Sequence, residues 1–322
     1  MGKKYRNIYE QIYNRERLWS SYRKAALGKK STVGYLYFRT YEAANIEAII
    51  EQLANEAYRP GDHNHFYVHE PKKRMISALP FLDRVVQHSI YSVISPMFEK
   101  TFLPYSFACR DGKGTHKGTR HVQSIIRKNP GLWCLKMDFK GYFYNIDREV
   151  LWREIDKKIT CQKTRRLISL FHQREGKGLP IGNLTSQLLA NIYGHIFDRY
   201  ISHDLRVKYW ARYMDDTVIF ASSKEELQDI FIKLTAFANN EMKLEWSKWS
   251  IRPVSQGVNF LGYRIWGSHK LIRPGSVKRA KIKIRHYKKT NNKEKLEKFT
   301  ASWLGHIKWA NSHNLKSKLL GV

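Results

Sequence analysis

Two adjacent aspartates interrupt an apolar stretch of the sequence. Asp215 and Asp216 lie in "ARYMDDTVIF", residues 211–220, which otherwise has the composition of a buried strand. Neighbouring carboxylates in apolar surroundings lose hydration and repel each other, so their placement costs free energy of folding. A divalent cation offsets that cost, because Mg²⁺ prefers carboxylate oxygens and keeps several of its waters. The alternative is a plain acidic turn between two strands, since Asp is common in turns.

A third carboxylate, Asp138, follows the apolar residues 132–137. Two Mg²⁺ ions held about 3.5 to 4 Å apart by such carboxylates can activate an attacking hydroxyl and stabilise a leaving phosphate. The aspartates therefore predict nucleotidyl transfer, in which a 3′-hydroxyl attacks a nucleotide and pyrophosphate leaves.

Short strands must hold these carboxylates in place. Residues 132–137 predict a strand, residues 209–222 a hairpin with the acidic pair at its tip, and residues 258–266 a further single strand. A basic hairpin is predicted at residues 65–80. Helical periodicity marks residues 7–27, 40–58, 81–100, 147–172, 224–242 and the chain from about 276, and residues 177–201 predict a Gly-Pro loop that leads into a long apolar helix. This irregular alternation favours an α+β class over a doubly wound sheet.

The composition favours a polyanionic partner. Lys and Arg number 58 against 28 Asp and Glu, which gives a formal net charge of +30. A folded protein this basic repels itself unless it works against a polyanion, and nucleic acid is the usual one. A ribosomal or chromatin-like packing protein is the alternative, although an aromatic content of 13% is high for that class.

Other patterns point to a cytoplasmic location and no zinc site. No apolar run approaches the roughly 18 residues of a membrane helix, and the first residues lack the apolar core of a signal peptide. The three cysteines are far apart and form no C-x-x-C pair, which favours a reducing compartment. His63, His65 and His69 lack a second ligand pair, so we interpret them as strand histidines.

The motifs around the acidic pair resemble, in order, those of reverse transcriptases. "YMDD", residues 213–216, resembles the catalytic box, and "KMDFKGYFYNID", residues 136–147, resembles the block that carries the first catalytic aspartate. "LPIGNLTSQLLANIY" resembles the next block, "EWSKWS" a later lysine block and "NFLGY" the primer grip. "KKRMIS" and "FLDRVVQHSI" resemble the fingers blocks and "SFACRDGKGTH" the block that follows them, so the resemblance extends from about residue 72 to 263.

The resemblance implies an α+β right-hand polymerase with interleaved fingers and palm, an antiparallel palm sheet and a short helical thumb. It places the fingers at residues 1–100 and 145–180, the palm at 100–145 and 180–266, and the thumb at 267–322. The basic tail fits a thumb that holds a duplex by its phosphates, or else a solvated helix face.

The resemblance also implies roles for individual residues. The implied catalytic residues are Asp138, Asp215, Asp216 and Lys248. Two Mg²⁺ ions would bind Asp138, Asp215, Asp216 and the carbonyl of Phe139. The implied nucleotide-binding residues are Lys72, Arg74, Arg110, Phe139, Phe143, Ile181 and Gln187. The implied primer and template grip is formed by Tyr213, Met214, Phe260, Leu261, Gly262 and Tyr263. Solvated basic side chains at Lys72 and Arg74, a structural salt bridge at Arg110 and simple packing at Ile181 are the alternatives.

One block departs from the common pattern Q-G-x-x-x-S-P and reads "IGNLTSQ", residues 181–187. With the absence of an endonuclease or RNase H segment, this resembles the reverse transcriptases of diversity-generating retroelements, which are close to the group II intron branch. That resemblance implies a prokaryotic or phage-encoded enzyme that copies a template-repeat RNA into cDNA with errors at adenines. It also implies a small basic oligomeric accessory protein as partner.

Two further readings stay open. One is a group II intron-like, retron or defence-associated reverse transcriptase. The other is a catalytically inactive RNA-binding scaffold, which the retained set of three aspartates disfavours.

Overall fold

The computed structural model describes residues 3–69 and 73–320, with side chains described as far as residue 317. By internal contacts the chain divides into two compact units, each assembled from separate stretches. The first comprises residues 1–103, 140–199 and 236–245, and the second comprises residues 104–139, 200–235 and 246–322. The predicted division into fingers, palm and thumb is a different partition and stays a prediction.

Helices account for most of the described chain. They are α1 (Arg15–Ala25), α2 (Val33–Thr40), α3 (Glu42–Ala54), α4 (Phe81–Glu99), α5 (Thr115–Lys128), α6 (Tyr142–Asn145), α7 (Arg148–Lys158), α8 (Gln162–Phe171), α9 (Leu184–Arg199), α10 (Lys224–Glu241), α11 (Pro274–Lys289), α12 (Lys293–Ile307) and α13 (His313–Leu320). A π-helical turn, Tyr200–Asp204, follows α9. None of the helices among the described residues is long and apolar enough to cross a membrane.

The strands form three antiparallel sheets in the described chain. They are β1 (Asn64–Val68), β2 (Arg74–Ala78), β3 (Trp133–Phe139), β4 (Tyr209–Tyr213), β5 (Asp216–Ala221), β6 (Trp246–Pro253), β7 (Val258–Phe260), β8 (Tyr263–Ile265) and β9 (Lys270–Ile272). Strands β1 and β2 form the basic hairpin of the first unit. In the second unit the strand orders are β4-β5-β3-β6 and β7-β8-β9.

The core of the second unit explains how the four-stranded sheet is fixed. Cys134, Val218 and Phe220 on one face of this sheet belong to a buried cluster that also contains Phe260 and Tyr263 of the smaller sheet. Burying such side chains contributes roughly 1.5–3 kcal/mol each. The sheet is thereby anchored at the end of β3 away from Asp138, while the opposite end carries the polar residues.

The single strand predicted at residues 258–266 is wrong, because the chain reverses in its middle. Strands β7 and β8 form a hairpin in which Phe260 pairs with Tyr263. The turn residues Leu261 and Gly262 have φ of 51° and 88°. Positive φ at both central positions matches the twist of a two-residue hairpin, and Gly262 adopts it without a steric penalty.

Helix boundaries near the N-terminus also differ from the expectation of one helix over residues 7–27. Helix α1 begins only at Arg15, because the side chain of Asn14 caps it by accepting a hydrogen bond from the Arg17 N–H at 3.1 Å. Similarly, the helical span predicted at 147–172 is split into α7 and α8 around residues 159–161. The basic hairpin at residues 65–80 is confirmed as β1 and β2.

Candidate active site

The register of the four-stranded sheet places two of the predicted aspartates opposite each other. Asp138 on β3 is the cross-strand partner of Asp216 on β5. On its other side Asp138 faces Lys248 of β6. The carboxylates of Asp138 and Asp216 are each about 20% exposed. Like charges directly opposite each other destabilise a sheet, so this end of β3 concentrates unfavourable charge.

Asp215 lies in the tight turn between β4 and β5. Its carbonyl accepts a hydrogen bond from the Phe139 N–H at 3.4 Å, which ties the turn to the end of β3. The preceding residue, Met214, is buried and has a φ of 54°. Non-glycine residues rarely adopt this left-handed conformation, which costs roughly 1 kcal/mol or more.

A buried arginine supports this strained turn. Arg212 is 1% exposed and its Nη1 donates to the Met214 carbonyl at 3.0 Å. The backbone of Arg212 is held from the other side, since its N–H donates to the Tyr105 carbonyl and its carbonyl accepts from the Phe107 N–H, both at 2.9 Å. Backbone and side chain of Arg212 together fix the position of Met214 and hence of the aspartates that follow it.

Asp216 has a positively charged neighbour from the adjacent strand. The ammonium of Lys136 forms a salt bridge with Asp216 Oδ1, and this lysine is only 19% exposed. Burial raises the pKa of Asp216, while the charge of Lys136 and its hydrogen bond lower it and the charge of Asp138 raises it further. The site is therefore an array of alternating charges along two strands.

Two residues of β6 contact Asp138. Ser247 Oγ donates to Asp138 Oδ2 at 2.9 Å and to the Asp138 carbonyl at 3.0 Å. The pairing of β3 with β6 shifts register between Asp138 and Phe139, which leaves Ser247 free to turn toward the carboxylate. The ammonium of Lys248 is 3.5 Å from Asp138 Oδ2, and the Lys248 side chain is 62% exposed. Lys248 is thus near the carboxylate and open to solvent.

A cavity of about 360 Å³ lies beside these carboxylates in the second unit. Its charged lining residues are Lys136, Asp138, Asp216, Lys248, Arg252 and Arg273. Four basic groups surround two carboxylates, so the cavity suits an anionic ligand that also carries or accompanies cations.

Mg²⁺ requires hard oxygen ligands, and two of the predicted ligands supply them. Asp138 and Asp216 offer hard oxygen ligands on adjoining strands, which fits the preference of Mg²⁺ for one or two carboxylates plus substrate phosphates. The described residues contain no group of three or more His, Cys, Asp and Glu side chains placed to share one metal. Asp138 and Asp216 therefore fit the ion, and ligation by Asp215 and by the Phe139 carbonyl stays a prediction.

The predicted grip residues occupy two different environments. The side chains of Phe260 and Tyr263 are fully buried, so they pack in the core rather than face a ligand. Tyr263 Oη donates to the His306 carbonyl at 3.0 Å. Leu261 is partly buried against the same core, and Gly262 has no side chain. A contact of this hairpin with nucleic acid would come from the backbone of its turn.

Four predicted nucleotide-binding residues lie in the first unit. Arg74 is exposed at the start of β2, and Ile181 is half-buried in the loop before α9. That loop lies against β2, because the Ser77 N–H donates to the Ile181 carbonyl at 2.8 Å. Gln187 is exposed on α9, and Phe143 is half-buried on α6. The structure thus brings the Ile181 loop to the strand that carries Arg74.

The remaining predicted residues divide between the second unit and the part of the chain that is not described. Phe139 is buried and its ring stacks on Trp246 with centroids 4.3 Å apart. Arg110 donates through Nη1 to the Ser106 carbonyl at 2.9 Å. Lys72 lies outside the described residues.

Sequence reasoning missed Lys136, Arg212 and Ser247. The signal for Lys136 was present, because residues two apart on a strand share a face and Lys136 precedes Asp138 by two. Arg212 is an arginine within an apolar strand, which required a buried partner. Ser247 carried no signal, since its role depends on the register shift between β3 and β6.

Comparison with known proteins shows which family and which relatives this chain is similar to. The family model described as "Reverse transcriptase (RNA-dependent DNA polymerase)" matches residues 65–265. The group II intron-encoded protein LtrA of Lactococcus lactis subsp. cremoris is 26% identical in a match that covers 76% of this chain and 53% of that protein. Protein YkfC of Escherichia coli (strain K12) is 23% identical over 81% of this chain and 78% of its own length. The chain thus spans about half the length of the intron-encoded relative.

Among solved structures, telomerase from Candida albicans in complex with a fragment of telomeric RNA is similar with a TM-score of 0.50 and 9% identity. The match covers 78% of this chain and 55% of that one, and it bears on the fold alone. The predicted α+β class with an antiparallel palm sheet, that of right-hand polymerases, is confirmed. Because the family model matches more than half of the 322 residues, the chain belongs to the reverse transcriptase (RNA-dependent DNA polymerase) family.

Proposed function

We propose that this protein copies RNA into DNA by adding deoxynucleotides to a primer 3′-hydroxyl. The observation that carries the proposal is the pairing of Asp138 with Asp216 across β3 and β5, in a chain of this family. Juxtaposed carboxylates are unfavourable for folding, so they are retained for a ligand that needs them.

The residues proposed to hold two Mg²⁺ ions are Asp138, Asp215, Asp216 and the carbonyl of Phe139. When bound, the ions would neutralise the carboxylates and stabilise negative charge on the reacting phosphate. The chain itself fixes the geometry, because Arg212 holds the Met214 turn and Ser247 holds the Asp138 carboxylate.

Lys248 is proposed to donate a proton to the leaving pyrophosphate. Its side chain is 62% exposed beside Asp138 and lines the adjacent cavity, so it is accessible to a ligand there. Arg74 on the basic hairpin, together with Lys72 and Arg110, is proposed to bind the triphosphate through charge-assisted hydrogen bonds. Phe143 is proposed to screen the sugar position that carries a 2′-hydroxyl in ribonucleotides, and Gln187 to contact the nucleotide.

The test is primer extension on an RNA template with dNTPs and Mg²⁺, comparing the unaltered protein with Asp215→Asn. The substitution keeps the side-chain volume and removes the charge, so extension is expected to fall at least 100-fold. Asp229→Asn, on the exposed face of α10, is the matched control and should leave extension unchanged. Equal extension by the Asp215 variant would contradict the proposal, and no extension by either protein would favour an RNA-binding scaffold.

We further propose that copying is error-prone at template adenines, as in diversity-generating retroelements. Ile181 stands where the common motif has a glutamine, and an aliphatic side chain forms no hydrogen bond that favours the correct base pair. Its loop lies on β2, the strand that begins with Arg74. The substrate would then be a template-repeat RNA, and a small basic accessory protein would be a partner.

Sequencing the cDNA made by Ile181→Gln tests this proposal. Restoring a hydrogen-bonding side chain should lower errors at adenines several-fold relative to errors at other bases, whereas Ile181→Val, which stays aliphatic, should not. An adenine error rate equal in all three proteins would contradict a role for Ile181. If the cDNA made by the unaltered protein carries errors spread evenly over the template, the proposal of adenine-specific errors is itself wrong.

A group II intron-like activity is the second candidate. The observation that favours it is the match to the intron-encoded protein LtrA over 76% of this chain. High-fidelity extension on intron-derived RNA, unaffected by an accessory protein, would support this candidate, or a retron or defence-associated relative, over the mutagenic one.

A further inference from the structure

Lys136 lies beside the aspartates, and the proposed chemistry does not use it. It lies two residues before Asp138 on β3, and its cross-strand partner is Val218, two residues after Asp216. Asp216 is therefore the diagonal neighbour of Lys136 on the same face, a spacing that a long side chain can bridge. The salt bridge to Asp216 Oδ1 follows from this register.

The surroundings of Lys136 make this pair different from a surface salt bridge. Its side chain is 19% exposed and that of Asp216 is 20% exposed. Its ammonium also lies 5.8 Å from the centre of the Phe260 ring, which is fully buried. A partly desolvated cation between a carboxylate and an aromatic face is held more firmly than an exposed lysine. The side chain of Lys248 is 62% exposed, so its ammonium is not desolvated in this way.

The position of the ammonium bears directly on metal binding. Asp138 and Asp216 are opposite each other, so some positive charge must offset their repulsion in the protein without metal. Lys136 supplies that charge at Asp216 Oδ1, an oxygen proposed to bind the cation. An ammonium and a divalent ion compete for the same carboxylate, since each disfavours the other electrostatically.

We propose that Lys136 is a built-in counter-cation. Its ammonium neutralises Asp216 while no divalent metal is bound, and it moves away from the carboxylate when a divalent metal binds there. The inference rests on the proposed function, because it takes the aspartate pair as the metal site. Lys136 thereby stabilises the metal-free protein and weakens its affinity for metal. The Phe260 ring offers the displaced ammonium a second contact.

The test measures metal binding and stability without nucleic acid. Lys136→Met keeps the aliphatic stem and removes the charge. In EDTA the variant should unfold at a lower temperature, because Asp216 loses its partner. It should bind Mn²⁺ on the order of tenfold more tightly, as followed by electron paramagnetic resonance of free Mn²⁺. Saturating Mn²⁺ should then restore most of the lost stability.

Lys298→Met is the matched control, since Lys298 forms an ion pair with Glu294 in which both side chains are about three-quarters exposed. It should change neither Mn²⁺ affinity nor stability appreciably. Unchanged or weaker Mn²⁺ binding by Lys136→Met would overturn the inference. If RNA-templated extension is intact in that case, the proposed function survives and only the role of Lys136 is lost.

A double-mutant cycle covers the case in which Lys136→Met does not fold without metal. Asp216→Asn removes the charge that Lys136 offsets, so Lys136→Met should be far less destabilising in that background. A double variant that unfolds as readily as Lys136→Met alone would show a packing role and reject the inference.

Discussion

At the scale of single residues, the site combines unfavourable features that the surrounding side chains hold in place. Met214 has a left-handed backbone, and Asp138 faces Asp216. Neither arrangement is stable in isolation, and each has a dedicated partner in Arg212 or Lys136. Backbone strain that neighbouring contacts hold in place is often found at functional sites.

The strain at Met214 has a measurable consequence. Glycine adopts a φ of 54° freely and alanine does not. Met214→Gly should therefore be more stable than Met214→Ala by roughly 0.5–1 kcal/mol in urea unfolding. At Lys233, an exposed residue within α10, the order should reverse, because glycine is the weaker helix former. If the alanine variant is more stable than the glycine variant at both positions, the turn at Met214 is not strained.

His172 should make stability dependent on pH. It is 2% exposed, and its Nε2 is 2.7 Å from Thr185 Oγ1. Burial, together with the charges of His63 and Arg148, lowers the pKa of His172 to about 3. The unfolded state binds the proton better, so the stability supplied by neutral His172 is complete above pH ~6.5 and is lost as pH falls toward 3.

The expected loss from this group is about 1.4 kcal/mol per pH unit, or roughly 2 kcal/mol at pH 5. His172→Gln cannot titrate, so its unfolding free energy should fall less between pH 7 and pH 5. Parallel pH profiles of the two proteins in urea unfolding would rule out this source of acid sensitivity.

At the scale of elements, the loop that leads into α9 is fixed by backbone contacts. Gly182 has a φ of 118°, and a Cβ there would lie 2.9 Å from Ile76 Cγ2 and 3.2 Å from the Ser77 carbonyl oxygen. The Asn183 side chain contacts His63 Nε2 at 3.2 Å, and the Leu184 N–H donates to Gln87 Oε1 at 3.2 Å. The residue proposed to set fidelity is therefore carried on a loop with little freedom.

Gly182→Ala should separate this loop from β2. The added methyl meets Ile76 and the backbone of Ser77, and the φ of residue 182 is unfavourable for alanine. The free energy of unfolding should therefore fall by roughly 1–3 kcal/mol. Gly305→Ala is the control, because Gly305 is within α12 with nothing within 4 Å of its Cβ position. It should stabilise the protein by about 0.5–1 kcal/mol. If thermal unfolding shows that both substitutions change the stability in the same direction, the tight contact at Gly182 is contradicted.

Elements with local signals could be predicted from the sequence, and those that depend on distant contacts could not. The hairpin at residues 209–222 was evident from alternating apolar residues around the acidic pair, and the structure has β4 and β5 there. The β7–β8 turn was missed because Leu261, a bulky residue, takes a positive φ that its type disfavours. The approach of Lys136 to Asp216 required the register of β3 and β5, which no local pattern contains.

At the scale of the whole molecule, the net charge of +30 sets the mode of association. The exposed cations of α11 include Lys278, Arg285 and Lys289. Contacts of this kind bind phosphates without reading sequence and release counterions. If the protein binds RNA as proposed, choice among RNAs must then come from other parts of the molecule or from a partner.

Neutralising these three α11 residues to Gln should weaken binding of an RNA–DNA duplex and flatten its salt dependence. The slope of log K against log salt should decrease in magnitude by roughly 2–3, because each phosphate contact contributes about 0.7–0.9. The measurement is fluorescence anisotropy over a range of KCl concentrations. A uniformly weaker affinity with an unchanged slope would mean that these residues do not contact phosphates.

The order of the strands along the chain has a consequence for biosynthesis. Strand β3 carries Asp138, but its neighbours in the sheet are β5 and β6, and β6 ends only at Pro253. A ribosome that adds roughly 5–20 residues per second exposes β3 on the order of ten seconds before its last partner is made. During that interval β5, which ends at Ala221, can pair with one edge of β3, while the other edge stays unpaired until β6 is made, and an unpaired strand edge in a nascent chain favours aggregation. A chain that ends before β6 lacks the strand that contacts the Asp138 carboxylate and leaves one edge of β3 unpaired.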